Sequence, residues 1–130
     1  MLIDDNFIDL KINSKIIIIS KLFDEIIQCQ SGEEALAYFT SHAQDPDKLP
    51  NFILLDIQMP EMDGFEFLDN YKLFPPEWKD KCQVAMLSST LDFGDIRRAE
   101  ANPYVLKLLK KPLISTEFDA IFKANFDVES

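Results

Sequence analysis

The stretch Phe52-Ile53-Leu54-Leu55-Asp56-Ile57-Gln58-Met59-Pro60-Glu61-Met62-Asp63-Gly64 constrains this chain more than any other. An apolar run from Phe52 to Leu55 stops on a carboxylate, and the turn formers Pro60 and Gly64 follow within a few residues. A continuous apolar run bounded by turns is how a strand buried on both faces of a parallel sheet reads. In open parallel α/β sheets, ligands bind beyond the carboxyl ends of the strands, so Asp56 stands at the edge where chemistry is done. The opening Leu2-Ile3 ends in the same way on Asp4-Asp5. Two such strand ends bring three carboxylates to one crevice, a site for a hard divalent cation.

The rest of the chain alternates strand-like and helix-like segments, the pattern of a parallel α/β sheet. Ile8, Ile12, Ile16 and Ile19 recur at helical spacing and predict the inner face of a first helix. Ile26 to Cys29 reads as the second strand. Ser31 with Glu34 opens a helix with Ala35, Leu36 and Phe39 inside, and Asp63 with Glu66 opens another with Phe65, Leu68 and Tyr71 inside. Pro75-Pro76 ends that third helix, and Trp78 just beyond is expected to anchor a loop on the core edge. Val84 to Leu87 predicts a fourth strand, closed by Ser88-Ser89-Thr90. A fourth helix over Asp92 to Ala101 points Phe93, Ile96 and Ala99 inward. Val105 to Leu109 is a fifth strand ending at Lys110-Lys111-Pro112, and a last helix from about Thr116 carries Phe118, Ile121 and Phe122. Five strands and five helices alternate in one domain spanning residues 1–130.

Composition narrows the function classes. A net charge of -10 argues against a phosphate-backbone partner, whose binding rests on clustered Lys and Arg, and against anionic membranes. The 47% hydrophobic content is that of a folded globular chain. Two cysteines, Cys29 and Cys82, sit in strand-like runs outside any metal-spaced motif; they read as buried thiols of a reducing compartment, with a single disulfide as the alternative. Acidic residues stand where a signal peptide would be basic, and the longest aliphatic run, Ile16 to Ile19, is too short to span a bilayer, so a cytoplasmic location is expected.

Strand ends carrying Asp4-Asp5, Asp56, Ser88 and Lys111 share one edge of a parallel sheet, so residues scattered along the chain can meet. Clustered carboxylates repel, which raises a pKa or demands a cation; Mg²⁺ supplies oxygen coordination and bridges readily to phosphate. Beside such a metal, Asp56 can act as a nucleophile toward phosphorus and form an acyl phosphate. Lys111 offers a point charge for one phosphoryl oxygen, and the Ser88 hydroxyl a donor for another.

Asp4-Asp5, Leu55-Asp56, Met59-Pro60 with Asp63-Gly64, Met86-Leu87-Ser88-Ser89 and Lys111-Pro112 together resemble a bacterial response-regulator receiver domain of the CheY-like family. The resemblance runs in order over essentially the whole chain. It implies a flavodoxin-like, doubly wound (βα)5 fold with a five-stranded parallel sheet in the order 2-1-3-4-5. It also implies that Asp56 is the phosphoacceptor, served by a histidine kinase or a histidine phosphotransfer protein. Asp5 and Asp56 would hold Mg²⁺ directly, Asp4 through water, and Gln58 through its backbone carbonyl. Ser88 and Lys111 would contact the phosphoryl group, and the side chains of Gln58 and Thr90 would tune the rate at which it is lost. The Lys111-Pro112 bond would be cis. Output would be protein contact: a downstream partner, or a second copy paired through the fourth helix, fifth strand and fifth helix. One position departs from the family: Leu108 occupies the place, three residues before the lysine, where receivers carry an aromatic.

Two other classes compete. Haloacid-dehalogenase-like phosphatases also use a strand-end Asp, a Ser or Thr, a Lys and Mg²⁺. They need a second Asp two positions after the nucleophile, where this chain has Gln58, and an acidic pair beyond the lysine that Glu117, Asp119, Asp127 and Glu129 do not match. A receiver that binds partners without being phosphorylated is the third reading. The receiver reading leads, with no separate output domain expected and no turnover of an external substrate. His42 reads as a solvated helix-end residue, and Arg97 with Arg98 as a charged helix face.

Overall fold

The computed structural model describes residues 1–90 and 92–125. In chain order it contains β1 (Leu2–Ile3), α1 (Phe7–Ser20), β2 (Gln28–Cys29), α2 (Gly32–Ser41) and a 3-10 turn (Pro46–Lys48). There follow β3 (Phe52–Asp56), α3 (Gly64–Tyr71), α4 (Pro76–Lys79), β4 (Gln83–Ser88), α5 (Phe93–Ala101), β5 (Val105–Lys110) and α6 (Ser115–Asn125). The strands form one parallel sheet in the order β2-β1-β3-β4-β5. This is the doubly wound, flavodoxin-like arrangement.

Strand alternation divides the core between the two faces of the sheet. Ile3, Ile53, Leu55, Val84 and Met86 face one way and pack with Ala35 and Phe39 of α2, Phe65, Phe67, Leu68 and Tyr71 of α3, and Ala99 of α5. Leu2, Phe52, Leu54, Ala85 and Leu87 face the other way and meet Leu10 and Ile17 of α1 and Phe118 and Ile121 of α6. All five residues of β3 are buried, as a strand sandwiched by helices requires. The α3 start is a full capping box: Asp63 accepts from the Glu66 N–H at 2.8 Å, and the Glu66 carboxylate accepts from the Asp63 N–H at 3.1 Å.

Several expectations are corrected. The buried face of α1 is Leu10, Asn13, Ser14 and Ile17, whereas Ile8, Ile12 and Ile19 are 66%, 45% and 75% exposed; Ile16 is half-buried. The helix is aliphatic nearly all round, so apolar spacing alone does not select its inner face. Two polar residues lie inward instead, and Ser14 accepts a 2.6 Å hydrogen bond from Gln28. Phe93, expected inside, is 78% exposed at the start of α5. The described residues form six helices, not five, because Pro76 opens the single-turn α4. Trp78 lies on that turn, its ring 4.9 Å from Phe74. β2 is limited to Gln28–Cys29, and Ile26 and Ile27 pack as flanking residues on opposite faces.

Candidate phosphoryl and metal site

Three strand ends and one loop build the site. β1 delivers Asp4, which is buried, and Asp5, which is exposed. An Asp4 oxygen accepts the Asn6 N–H at 2.9 Å, and the Asn6 side chain in turn caps α1. Asp56, 4% exposed, ends β3 beside Leu87 of β4. Gly64 lets α3 begin directly against this strand end: a Cβ there would lie 2.6 Å from the Asp56 carbonyl oxygen and 3.0 Å from the Ile57 Cα. Ser88 ends β4 fully buried, and its carbonyl accepts the Lys111 N–H at 2.8 Å, which ties the loop after β5 to the site. The Lys111-Pro112 bond is cis.

One ligand oxygen from each of Asp4, Asp5 and Asp56 lies within 4.8 Å of the others. The Lys111 ammonium sits among carboxylates, 2.8 Å from Asp4, 2.9 Å from Asp9 and 3.4 Å from Asp56. Burial first, then the Asp4 charge, pushes the Asp56 carboxyl up to about 7, although Lys111 and a backbone hydrogen bond from Gln58 pull it down. Burial works against the Lys111 charge, but the hydrogen bonds to Asp4 and Asp9 and the Asp56 charge outweigh it and hold the ammonium above the usual lysine range. The all-oxygen donor set and the excess of carboxylates over cations suit a hard divalent ion such as Mg²⁺.

The remaining sequence candidates frame the mouth. Gln58, exposed in the loop after β3, accepts a 3.1 Å hydrogen bond from the Ser89 hydroxyl, so the loops after β3 and β4 are linked across the site. The Ser88 hydroxyl donates to the Thr90 carbonyl and accepts the Thr90 N–H at 3.2 Å. Asp9 was not a sequence candidate. It lies in the first turn of α1 rather than at a strand end, and only its spacing after Asp4-Asp5 could have marked it. Leu108 is partly buried against the core. Tyr104 does not stand in for the missing aromatic: it precedes β5, at the opposite edge of the sheet, with its ring 5.5 Å from Tyr71 and its hydroxyl 3.3 Å from the Lys79 ammonium. His42 caps the end of α2, stacked on Tyr38 at 4.0 Å. Arg98 lies over the Phe65 ring at 4.0 Å. No helix among the described residues is long and apolar enough to cross a membrane.

Comparison with known proteins identifies the family of this fold. A two-component response regulator from Cytophaga hutchinsonii superposes with a TM-score of 0.88 at 31% identity, over 98% of this chain and 95% of that one. A probable methanogenesis regulatory protein, FilR2, of Methanothrix harundinacea is 30% identical over 119 residues, 87% of this chain and 71% of that protein. Histidine kinase CKI1 of Arabidopsis thaliana is 40% identical over 77 residues, 51% of this chain but only 6% of the kinase. Residues 1–119 match the response regulator receiver domain family, and the chain belongs to that family, as a receiver domain of a two-component response regulator.

Proposed function

We propose that this receiver is a phosphoacceptor in which Asp56 takes a phosphoryl group from a phosphohistidine of a histidine kinase or phosphotransfer protein. The observation that carries this reading is the convergence of Asp4, Asp5, Asp56, Ser88 and Lys111 on one sheet edge. Asp4, Asp5 and Asp56 would hold Mg²⁺, together with the Gln58 carbonyl. The ion would supply neutralisation of the carboxylates and of the phosphoryl oxygens.

An Asp56 carboxylate oxygen attacks phosphorus; the new P–O bond forms as the donor's P–N bond breaks, and the imidazole leaves with the electron pair. Asp56 must be ionised to attack, so Lys111 and the Gln58 amide serve the reaction by favouring its charged form. Lys111, already 3.4 Å from Asp56, is placed to neutralise a phosphoryl oxygen in the transfer. The Ser88 hydroxyl reaches another by turning from the Thr90 carbonyl, a move that would carry the loop after β4 with it. That loop leads into α5, so α5, β5 and α6 form the face on which a downstream partner or a second copy would read the change. The Gln58–Ser89 link joins the loops after β3 and β4, beside Asp56 and Ser88, consistent with a rate-tuning role for Gln58 and for Thr90.

The test is intact mass after incubation with acetyl phosphate, with and without Mg²⁺. One phosphoryl adduct is expected only with Mg²⁺ and not in Asp56→Asn. A folded protein that gains no adduct overturns the reading in favour of phosphorylation-independent binding.

A further inference from the structure

Lys111 has a partner that the phosphoryl chemistry does not require. Its ammonium carries three protons. One is directed to Asp4 at 2.8 Å and one to Asp9 at 2.9 Å, while Asp56 lies farther away at 3.4 Å. Asp4 belongs to the carboxylate cluster that would hold the cation, but Asp9 does not. Asp9 is fixed by α1: its N–H is bonded to the Asn6 side chain at 3.1 Å, and its carboxylate lies in the first turn, where the helix favours negative charge. Its side chain is 32% exposed and has no place in the core.

We infer that Asp9 is a positioning residue that holds Lys111 toward α1 and thereby restrains phosphorylation of Asp56. This rests on the phosphoacceptor reading above. A phosphoryl group arriving at Asp56 must draw the Lys111 ammonium toward itself against the pull of the Asp9 carboxylate, and it brings negative charge toward one more carboxylate. Both effects oppose phosphorylation, and both disappear with the Asp9 charge. Partial exposure screens the interaction, so its removal is worth roughly three- to tenfold rather than orders of magnitude.

The experiment compares wild type, Asp9→Asn, Asp9→Ser and Asp9→Glu in two measurements. In the first, acetyl phosphate transfers its phosphoryl group to Asp56 and releases acetate, and the initial rate is followed by intact mass with saturating Mg²⁺. Asp9→Asn and Asp9→Ser are expected to react roughly three- to tenfold faster, with Asp9→Glu returning toward wild type. In the second, the metal-free proteins are labelled with limiting acetic anhydride and Lys111 acetylation is read by peptide mass spectrometry. Lys111 labelling is expected to rise at least about twofold in the neutral variants, because the side chain has lost one of the two carboxylates that fix it in place and reaches the reagent more freely.

A wild type phosphorylated on Asp56, with neutral variants that react no faster, overturns the role of Asp9 alone. Unchanged Lys111 labelling overturns it as well, because Asp9 then does not hold the lysine. A wild type that takes no phosphoryl group removes the phosphoacceptor reading and this inference together.

Discussion

Asp56 is buried beside another carboxylate and one shared cation, and that placement has a consequence for stability in the absence of metal. An unfolded aspartate titrates at the ordinary carboxylate value of 3.8, whereas the folded Asp56 is pushed up to about 7, chiefly by burial and then by Asp4. Between those values the folded chain keeps a proton that the unfolded chain has released. The stability linked to that proton is present at low pH and is lost as pH rises from about 4 to about 7. The buried Met1 amine, lowered by burial to about 6, acts in the opposite sense, since its contribution is lost as pH falls from 8 toward 6. The difference between wild type and Asp56→Asn isolates the carboxyl. In EDTA, urea melts should show Asp56→Asn more stable by about 1–2 kcal/mol at pH 8 and the gap closing toward pH 4. A gap that stays constant with pH would mean that Asp56 titrates as an ordinary carboxylate. Asp56, Ser88 and Lys111 were legible in the sequence because each ends a strand-like run, and one sheet edge collects all such ends. Asp9 had no such mark, since an acid in a helix's first turn is ordinary and its lysine partner lies 102 residues away.

Among the elements, helix starts marked by a capping residue were read within a residue or two, the Pro75-Pro76 signal overran the end of α3 and hid α4, and apolar spacing located α1 without finding its buried face. β3 ends where an apolar run meets Asp56, and α3 starts where Asp63 and Glu66 form a capping box, so both boundaries carry their cause in the local sequence. In α1 the local signal is degenerate: isoleucines occur on several faces, and the buried stripe Leu10-Asn13-Ser14-Ile17 is chosen by what the sheet offers, including Gln28 for Ser14. Phe93 fails for the same reason, being apolar at a helix start with no core above it. The two faces of α1 can be told apart by truncation. Ile17→Ala removes a side chain packed with the second core layer and should cost about 2–4 kcal/mol in chemical denaturation. Ile19→Ala removes one that is 75% exposed and should change stability by less than about 0.5 kcal/mol. Equal losses at the two positions would place the helix in a different rotation.

At the scale of the whole molecule, the topology gathers acidic strand ends at one edge of a chain whose net charge is already -10. Among the described residues Lys111 is the cation paired with Asp4, Asp9 and Asp56, and Asp5 lies in the same cluster, so the folded state concentrates repulsion that the unfolded chain spreads out. A divalent cation that binds this edge binds only the folded protein, and its affinity is then read directly as stability. With free Mg²⁺ at ten times its dissociation constant, stability should rise by about 1.4 kcal/mol, a melting-temperature increase of a few degrees, roughly 2–6 °C. NaCl at matched ionic strength separates specific binding from general screening of the net charge, because screening acts on all exposed charges alike. The Mg²⁺ increment above the NaCl control should persist in Ile19→Ala, which lies away from the site, and should largely vanish in Asp56→Asn, which loses a carboxylate ligand. Background NaCl should also weaken the apparent Mg²⁺ affinity, because part of the attraction comes from the long-range negative field. If NaCl reproduces the whole increment, or Asp56→Asn retains it, the acidic edge is not a cation site and the charge gathered there is relieved by Lys111 and solvent alone.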